Sequence, residues 1–148
     1  MAGLLSPARS SVDRDALLSA ELARWASTPF DLAQDNCGLA VLGYAEALSV
    51  RRFARGRGLR GARRAARLMA EPHAFVAVAS AILRRLGWGE VDAPRRGDIG
   101  LVEQPGAQAD QIVAAICAED GGAVPLWAAR GDHAVVIQPA VALAIWRH

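Results

Sequence analysis

The sequence predicts an α+β fold in which a helical N-terminal half packs on a small antiparallel sheet. Up to about residue 90, apolar residues recur at the spacing of amphipathic helices. After "APRRGD" the chain changes to short apolar and β-branched runs separated by turn residues. No linker, internal repeat or low-complexity tract divides the 148 residues. We therefore expect one domain over residues 1–148, of which 1–11 form a flexible N-terminal arm.

The first predicted helix begins at Ser11, a favourable N-cap residue that is followed by acidic residues in the first turn. Leu18, Leu22 and Trp25 follow at i, i+4 and i+7, so they share one face of this helix. Thr28-Pro29 ends it, because proline cannot continue a helix and restricts the residue before it.

A second helix is predicted over residues 37–50. Its apolar face consists of Cys37, Val41, Tyr44, Ala45 and Leu48. Cys37 therefore stands at the start of this helix and in line with its core-facing positions.

The next segment, residues 51–67, contains eight arginines and no acidic residue. Its glycines predict a loop that becomes a short helix near Leu59. A further helix starts at Pro72, which the first turn of a helix tolerates, and closes at Gly87. Its apolar face carries Phe75, Ala79, Ile82, Leu83 and Leu86.

Four short runs in the C-terminal half predict antiparallel strands: "IGLVEQ", "QIVAAICAE", "AVPLW" and "HAVVIQ". The segments "QPGAQAD", "DGG" and "AARGD" are rich in turn residues and separate them. The closing "PAVALAIWRH" predicts a last turn and a strand that packs Trp146 on the sheet.

Composition argues against several classes of function. The 17 basic residues are all arginine, yet the net charge of +2 is too small to imply a nucleic-acid or membrane partner by itself. No apolar run approaches the roughly 20 residues of a membrane span. The first residues have no basic region followed by an apolar core, so we expect no signal peptide. Cys37 and Cys117 have no metal-type spacing, so we expect neither a metal nor another cofactor.

Two interpretations of Cys37 remain open from the residues alone. A thiol at a helix N-terminus is favoured as thiolate by the helix dipole, and the N–H groups there can stabilise an oxyanion. Free cysteine is also among the most often buried residue types, which favours a core residue. Cys117 lies inside an apolar run and is predicted to be core.

A cysteine nucleophile needs a base, and the sequence has three histidines. His73 stands near the start of a helix and is expected to be solvated. His148 is the C-terminal residue and is expected to be mobile. Only His133, at the turn before the last clear run, is placed as an active-site histidine would be.

The arginine segment allows a nucleic-acid interpretation, since its charges could neutralise several phosphates. It lacks interleaved aromatics other than Phe53, so stacking on single strands is not indicated. A solvated helix face or a surface that pairs with an acidic protein is favoured instead.

Short motifs in a fixed order connect the chain with a known family. They comprise Trp25, Pro29, Phe30, Asp35 and Cys37, then Arg60, Gly61, Ala62 and Arg64, then Arg96, Gly97, Asp98, Leu101 and Val102, and finally Ile145, Trp146 and Arg147. In this order the chain resembles the NlpC-type, papain-like cell-wall cysteine peptidases. It is most similar to small NlpC-like proteins encoded among phage and prophage tail genes.

Two features depart from that family's pattern. Asn36 separates the acidic residue from the cysteine, and the position of the general-base histidine holds Asp110-Gln111. An amide cannot take the thiol proton, and "AVPLW" supplies no third polar residue. In a simple meander, His133 would lie roughly 10 Å from the usual base position, two strand spacings away.

The resemblance implies a papain-like fold with a four- to five-stranded antiparallel sheet. The favoured function is a structural or assembly component at the tip or hub of a phage or prophage tail, with a degenerate peptidase domain and other tail proteins as partners. Such a protein would be made in the bacterial cytoplasm without a signal peptide and carried in the virion tail.

The alternative is an active cysteine amidase or endopeptidase that cuts peptidoglycan peptides during DNA entry. It would use Cys37 as nucleophile, N–H groups at the helix start as oxyanion hole and His133 as base. A third interpretation is an arginine-rich nucleic-acid-binding protein, whose affinity would depend on Arg60, Arg63 and Arg64.

Overall fold

A computed structural model describes residues 11–28, 37–49, 62–103, 111–131 and 134–148. Four helices come first in the chain: α1 (Ser11–Ser27), α2 (Cys37–Ser49), α3 (Ala62–Ala70) and α4 (Pro72–Arg85). Six strands follow: β1 (Gly89–Val91), β2 (Ile99–Glu103), β3 (Ile112–Glu119), β4 (Leu126–Arg130), β5 (Val135–Pro139) and β6 (Ala142–Arg147). The predicted α+β class and the order of its two halves are confirmed.

The helices bury the faces that their periodicity predicts. Leu18 and Trp25 of α1 are buried, and so are all five residues of the predicted apolar face of α2. Helix α4 starts at Pro72, and Gly87 beyond its end has φ of +87°, the left-handed conformation that closes many helices. Residues 1–10 of the predicted N-terminal arm and the predicted helix start near Leu59 lie outside the described residues. Ser11, which was assigned to the arm, is the first residue of α1. The described part of the third helix begins at Ala62.

The strands form one antiparallel sheet in the order β1-β6-β2-β3-β4-β5. The prediction of four to five strands is wrong by one, because β1 was missed. This strand has only three residues, of which two are exposed, so it shows no apolar alternation. It is held by pairing with β6, a contact between distant parts of the sequence.

Strand β4 lies three residues later than predicted. The segment "AVPLW" was expected to be the strand and "AARGD" a turn, but Ala128, Ala129 and Arg130 belong to the strand. They pair with β5, and Ala128 also pairs with Ile116 of β3. Alanine and arginine have modest strand propensity, and pairing with neighbours on both sides overrides it here.

The sheet is strongly curled. Only residues 140 and 141 join β5 to β6, although these strands lie four positions apart in the sheet. In a flat sheet that separation would be roughly 19 Å, whereas three Cα steps span at most about 11 Å. The inner face of the curl is filled by Trp127, which is 1% exposed and lies over Gly100.

The opposite face of the sheet carries the helices. Ile99, Leu101 and Ala114 point to this side, where they meet residues of α2 and α4. The start of α2 thus faces the middle of the sheet, which is where the candidate site lies.

Candidate functional site

Cys37 is the first residue of α2 and is 5% exposed. Burial raises the pKa of its thiol, while hydrogen bonds with the backbones of Ala114 and Gly38 partly oppose this rise. The helix start therefore places the sulfur against strand β3. The surroundings nevertheless favour the neutral thiol, which is the poorer nucleophile.

An apolar cavity of about 40 Å³ lies beside the start of α2, between α2, α4 and the sheet. Its lining consists of Gly38, Val41, Leu42, Phe75, Ala79, Ile82, Leu83, Ile99, Leu101 and Ala114. None of these side chains can donate or accept a proton. The cavity can exclude water from an apolar group, but it brings no acid or base toward Cys37.

His133, the predicted base, lies outside the described residues. The residues that flank it pair with each other, since the Gly131 N–H donates to the Ala134 carbonyl at 2.8 Å. Strands β3, β4 and β5 are consecutive neighbours, as the meander assumed for the 10 Å separation requires. The distance from His133 to Cys37 stays a prediction.

The two described histidines occupy other places. His73 is exposed in the first turn of α4. The ring centroid of His148 lies 5.5 Å from that of Trp88, so an aromatic contact engages a residue that was expected to be mobile. The Trp88 indole N–H donates to Ser49 at the far end of α2, roughly 18 Å along the helix from Cys37.

Gln111 is half-buried immediately before β3. The sequence resemblance predicts that this position corresponds to the general base of the peptidases, and that correspondence stays a prediction. A neutral amide can hydrogen-bond there but cannot accept the thiol proton.

A cluster of polar groups surrounds Asp98, and the sequence analysis did not predict it. Its carboxylate is 3% exposed and accepts two hydrogen bonds from Arg147, Nε to Oδ1 at 3.0 Å and Nη2 to Oδ2 at 2.7 Å. Oδ2 also accepts the Arg95 N–H at 2.8 Å. The Asp98 N–H donates to the Arg95 carbonyl, which closes a turn with Gly97 at φ of +93°.

Helices α1 and α2 are attached to this turn. The Tyr44 hydroxyl of α2 donates to the Gly97 carbonyl at 2.9 Å, and burial raises the pKa of Tyr44. Arg96 bonds to Asp15 of α1 at 3.1 Å and also to the Ala118 carbonyl. The "RGD" and terminal "WR" motifs thus belong to one cluster of hydrogen-bonded residues. In the sequence they are two separate motifs with no visible connection.

Arg130 at the end of β4 is a further buried polar residue. Its guanidinium donates to the carbonyls of Trp25 and Thr28, at 3.3 and 2.7 Å. A positive charge is favourable at a helix C-terminus, where carbonyl groups lack partners within the helix. Arg130 therefore fixes the end of α1 to the sheet. This helix end precedes Cys37 by ten residues.

Among the described residues, no group of three His, Cys, Asp or Glu side chains is arranged to hold a metal ion. Cys37 and Cys117 are both buried free thiols, and the prediction that Cys117 is core is confirmed. No single described helix has the length and apolar composition needed to cross a membrane. Helices α3 and α4 meet that criterion only as a pair, and they are bent by 110° at their junction.

Comparison with known proteins identifies a family without a known activity. Residues 10–148 match the family described as a domain of unknown function, DUF6950. No curated protein and no solved structure matches the chain.

Proposed function

We propose that this chain, which belongs to the DUF6950 family, is a non-catalytic structural or assembly protein of a phage or prophage tail. It would keep the scaffold of an NlpC-type cysteine peptidase while its reaction centre has lost function. The burial of Cys37 in apolar surroundings carries this proposal.

The chemistry near Cys37 supports a loss of catalysis. A papain-like mechanism needs a thiolate and a base within about 3 Å of the sulfur, or one bridging water away. Burial favours the neutral thiol, and the lining of the adjacent cavity contains no titratable side chain. By the sequence resemblance, the position that would hold the base is occupied by Gln111.

The motifs that carry the resemblance support a scaffold role. Asp98 and Arg147 belong to two of these motifs, and they bond to each other rather than to an open cleft. Selection on such residues would maintain the fold. The tail location itself rests on the order of the motifs, and the expected partners are tail-tip or hub proteins.

Thiol reactivity tests the loss of catalysis. Iodoacetamide at about pH 6 and about pH 8 should leave both cysteines of the folded protein unlabelled and should modify both in urea, because burial protects them. Peptidoglycan fragments should remain uncut. Cys117→Ala serves as the matched control for Cys37→Ala, since both remove a buried thiol.

The opposite result would establish the hydrolase. It would consist of rapid labelling of folded Cys37 at about pH 6 and of cleavage that Cys37→Ala abolishes and Cys117→Ala retains. His133→Ala would then test the base.

Tail particles purified from an induced lysogen that carries this gene test the location. An antibody against the chain should detect it in the particles after a density gradient. Its absence from tails that contain their other components would overturn the tail assignment without changing the conclusion about Cys37.

A further inference from the structure

Helix α3 presents a positively charged face. Arg63, Arg64 and Arg67 are exposed, whereas Ala65 and Leu68 on the other side are buried. The helix has no acidic residue. Over residues 51–88 the sequence contains ten arginines and one acidic residue, a net charge of +9, so the rest of the chain has a net charge of −7.

A negatively charged surface lies near the Asp98 turn, at β1 and at the end of β3. Glu90, Asp92, Glu119 and Asp120 are all exposed there, and we call them the acidic end. The hydrogen bonds that Arg147 donates to Asp98 are the largest cause of its raised pKa, and the charge of Asp120 also raises it. Arg147 pairs in register with Gly89 of β1, which connects the two parts of this surface.

Two arginines near the acidic end are already engaged. Arg96 is bonded to Asp15, and Arg147 is bonded to Asp98. The charges of Arg96 and Arg147 are therefore balanced by Asp15 and Asp98. The exposed Arg95 of the same turn offsets one of the four carboxylates of the acidic end, which leaves a balance of three negative charges.

The two charged surfaces lie at opposite ends of α4. Helix α3 leads directly into the first turn of α4, and β1 follows the last turn. The 14 residues of α4 span roughly 21 Å. The segments that carry the two surfaces therefore leave α4 at points about 21 Å apart.

We propose that the arginine face of α3 binds the acidic end of a second copy of this chain, in a head-to-tail contact. A second copy fits better than nucleic acid, because the chain has a net charge of only +2 and its other surfaces would repel phosphates. A contact between two different surfaces leaves one of each unpaired, so it extends into a ring or a filament. The proposal does not depend on the tail location or on the state of Cys37.

Sedimentation velocity of the full chain at two salt concentrations tests this contact. At about 50 mM NaCl we expect the weight-average mass to reach about twofold or more of the 15.6 kDa monomer. At about 500 mM NaCl it should return to the monomer, because exposed charges are then screened.

Charge reversal distinguishes a specific contact from general attraction. Arg63→Glu/Arg67→Glu and Glu119→Arg/Asp120→Arg should each be monomeric at low salt. A mixture of the two variants in equal amounts should associate again, because each surface then meets its complement. Arg24→Glu/Arg84→Glu, a control with the same change in net charge outside α3 and outside the Asp98 turn, should associate like the wild type.

Three results would overturn the proposal. They are a monomeric wild type at low salt, a mixture of reversed variants that stays monomeric, and a salt-dependent affinity of α3 for duplex DNA without any self-association. The last result would support nucleic-acid binding instead. Circular dichroism of each variant ensures that a monomer is also a folded protein.

Discussion

Arg147 and Asp98 form a two-point ion pair that joins the last strand to the turn before β2, across 49 residues of sequence. The carboxylate is almost fully buried, and the guanidinium is partly covered. The Arg147 Nη2 also donates to the Ala93 carbonyl at 3.0 Å. Ala93 and Asp98 both lie in the segment that joins β1 to β2. Arg147 therefore fixes β6 to the connection between its two neighbouring strands.

Removal of one partner should be strongly destabilising. Arg147→Met leaves the Asp98 carboxylate buried without its counter-charge, and we expect a loss of about 3 kcal/mol in the free energy of unfolding. Asp98→Asn should cost a similar amount. The double variant should cost less than the sum, with a coupling of about 2 kcal/mol in urea unfolding.

An exposed pair provides the control. Arg24 bonds to Glu21 at 2.6 Å, but its side chain is 41% exposed. Arg24→Met should change stability by less than about 0.5 kcal/mol. Equal losses for Arg24→Met and Arg147→Met would show that burial of Asp98 does not strengthen the pair.

The curled sheet depends on a close approach of Trp127 to Gly100. A Cβ at position 100 would lie 2.6 Å from two atoms of the indole ring. The ring is rigid and buried, so Gly100→Ala should cost about 1–3 kcal/mol of stability in urea unfolding. In Gly100→Ala/Trp127→Phe the smaller ring should relieve the clash, so the two losses should not add.

Gly121→Ala is the matched control, since a Cβ there would have no neighbour within 4 Å. It should be close to neutral in the same assay. A Gly100→Ala variant as stable as Gly121→Ala would mean that the Trp127 ring has room to move.

Local signals made the helices predictable. Ser11, Pro72 and Gly87 mark ends of α1 and α4, and apolar spacing identified the buried face of α2. These signals act within one or two turns, so they can be found in a single sequence. Cys37 was likewise placed correctly at a helix start, because the pattern of its own helix defines that position.

Contacts between distant residues were not predictable. Strand β1 exists through its pairing with β6, and the last residues of β4 extend through pairing with β5. The burial of Cys37 depends on the sheet beneath it, and the bond between Asp98 and Arg147 depends on the register of β6. None of these leaves a periodic pattern near the residues concerned.

Arg130 offers a test of long-range support for the end of α1. Arg130→Met removes two hydrogen bonds from the carbonyls of Trp25 and Thr28 and should cost about 2–3 kcal/mol. Hydrogen exchange should speed up at the last turn of α1 more than elsewhere in the helix. Arg95→Met, which changes an exposed side chain, should do neither.

The buried thiols predict a loss of stability in alkali. Burial raises the pKa of Cys117 to about 11, with smaller contributions from the nearby charges of Asp120 and Asp98. Burial also raises the pKa of Cys37. In the unfolded chain both thiols ionise from about pH 9 upward, while the folded protein keeps its protons. The unfolded state is thereby favoured as the pH rises.

The expected slope can be measured by urea unfolding between about pH 7.5 and about pH 10.5. Each thiol should lower the free energy of unfolding by about 1.4 kcal/mol per pH unit above its unfolded pKa, and by nothing below about pH 8. Cys117→Ala removes one ionisable thiol, so it should reduce this slope by up to about 1.4 kcal/mol per pH unit, whatever its effect on stability at neutral pH. Cys37→Ala is the matched comparison, since it removes the other buried thiol. An unchanged slope in both variants would contradict the prediction. It would mean that the folded protein ionises these thiols as readily as the unfolded chain, although Cys37 and Cys117 are both buried.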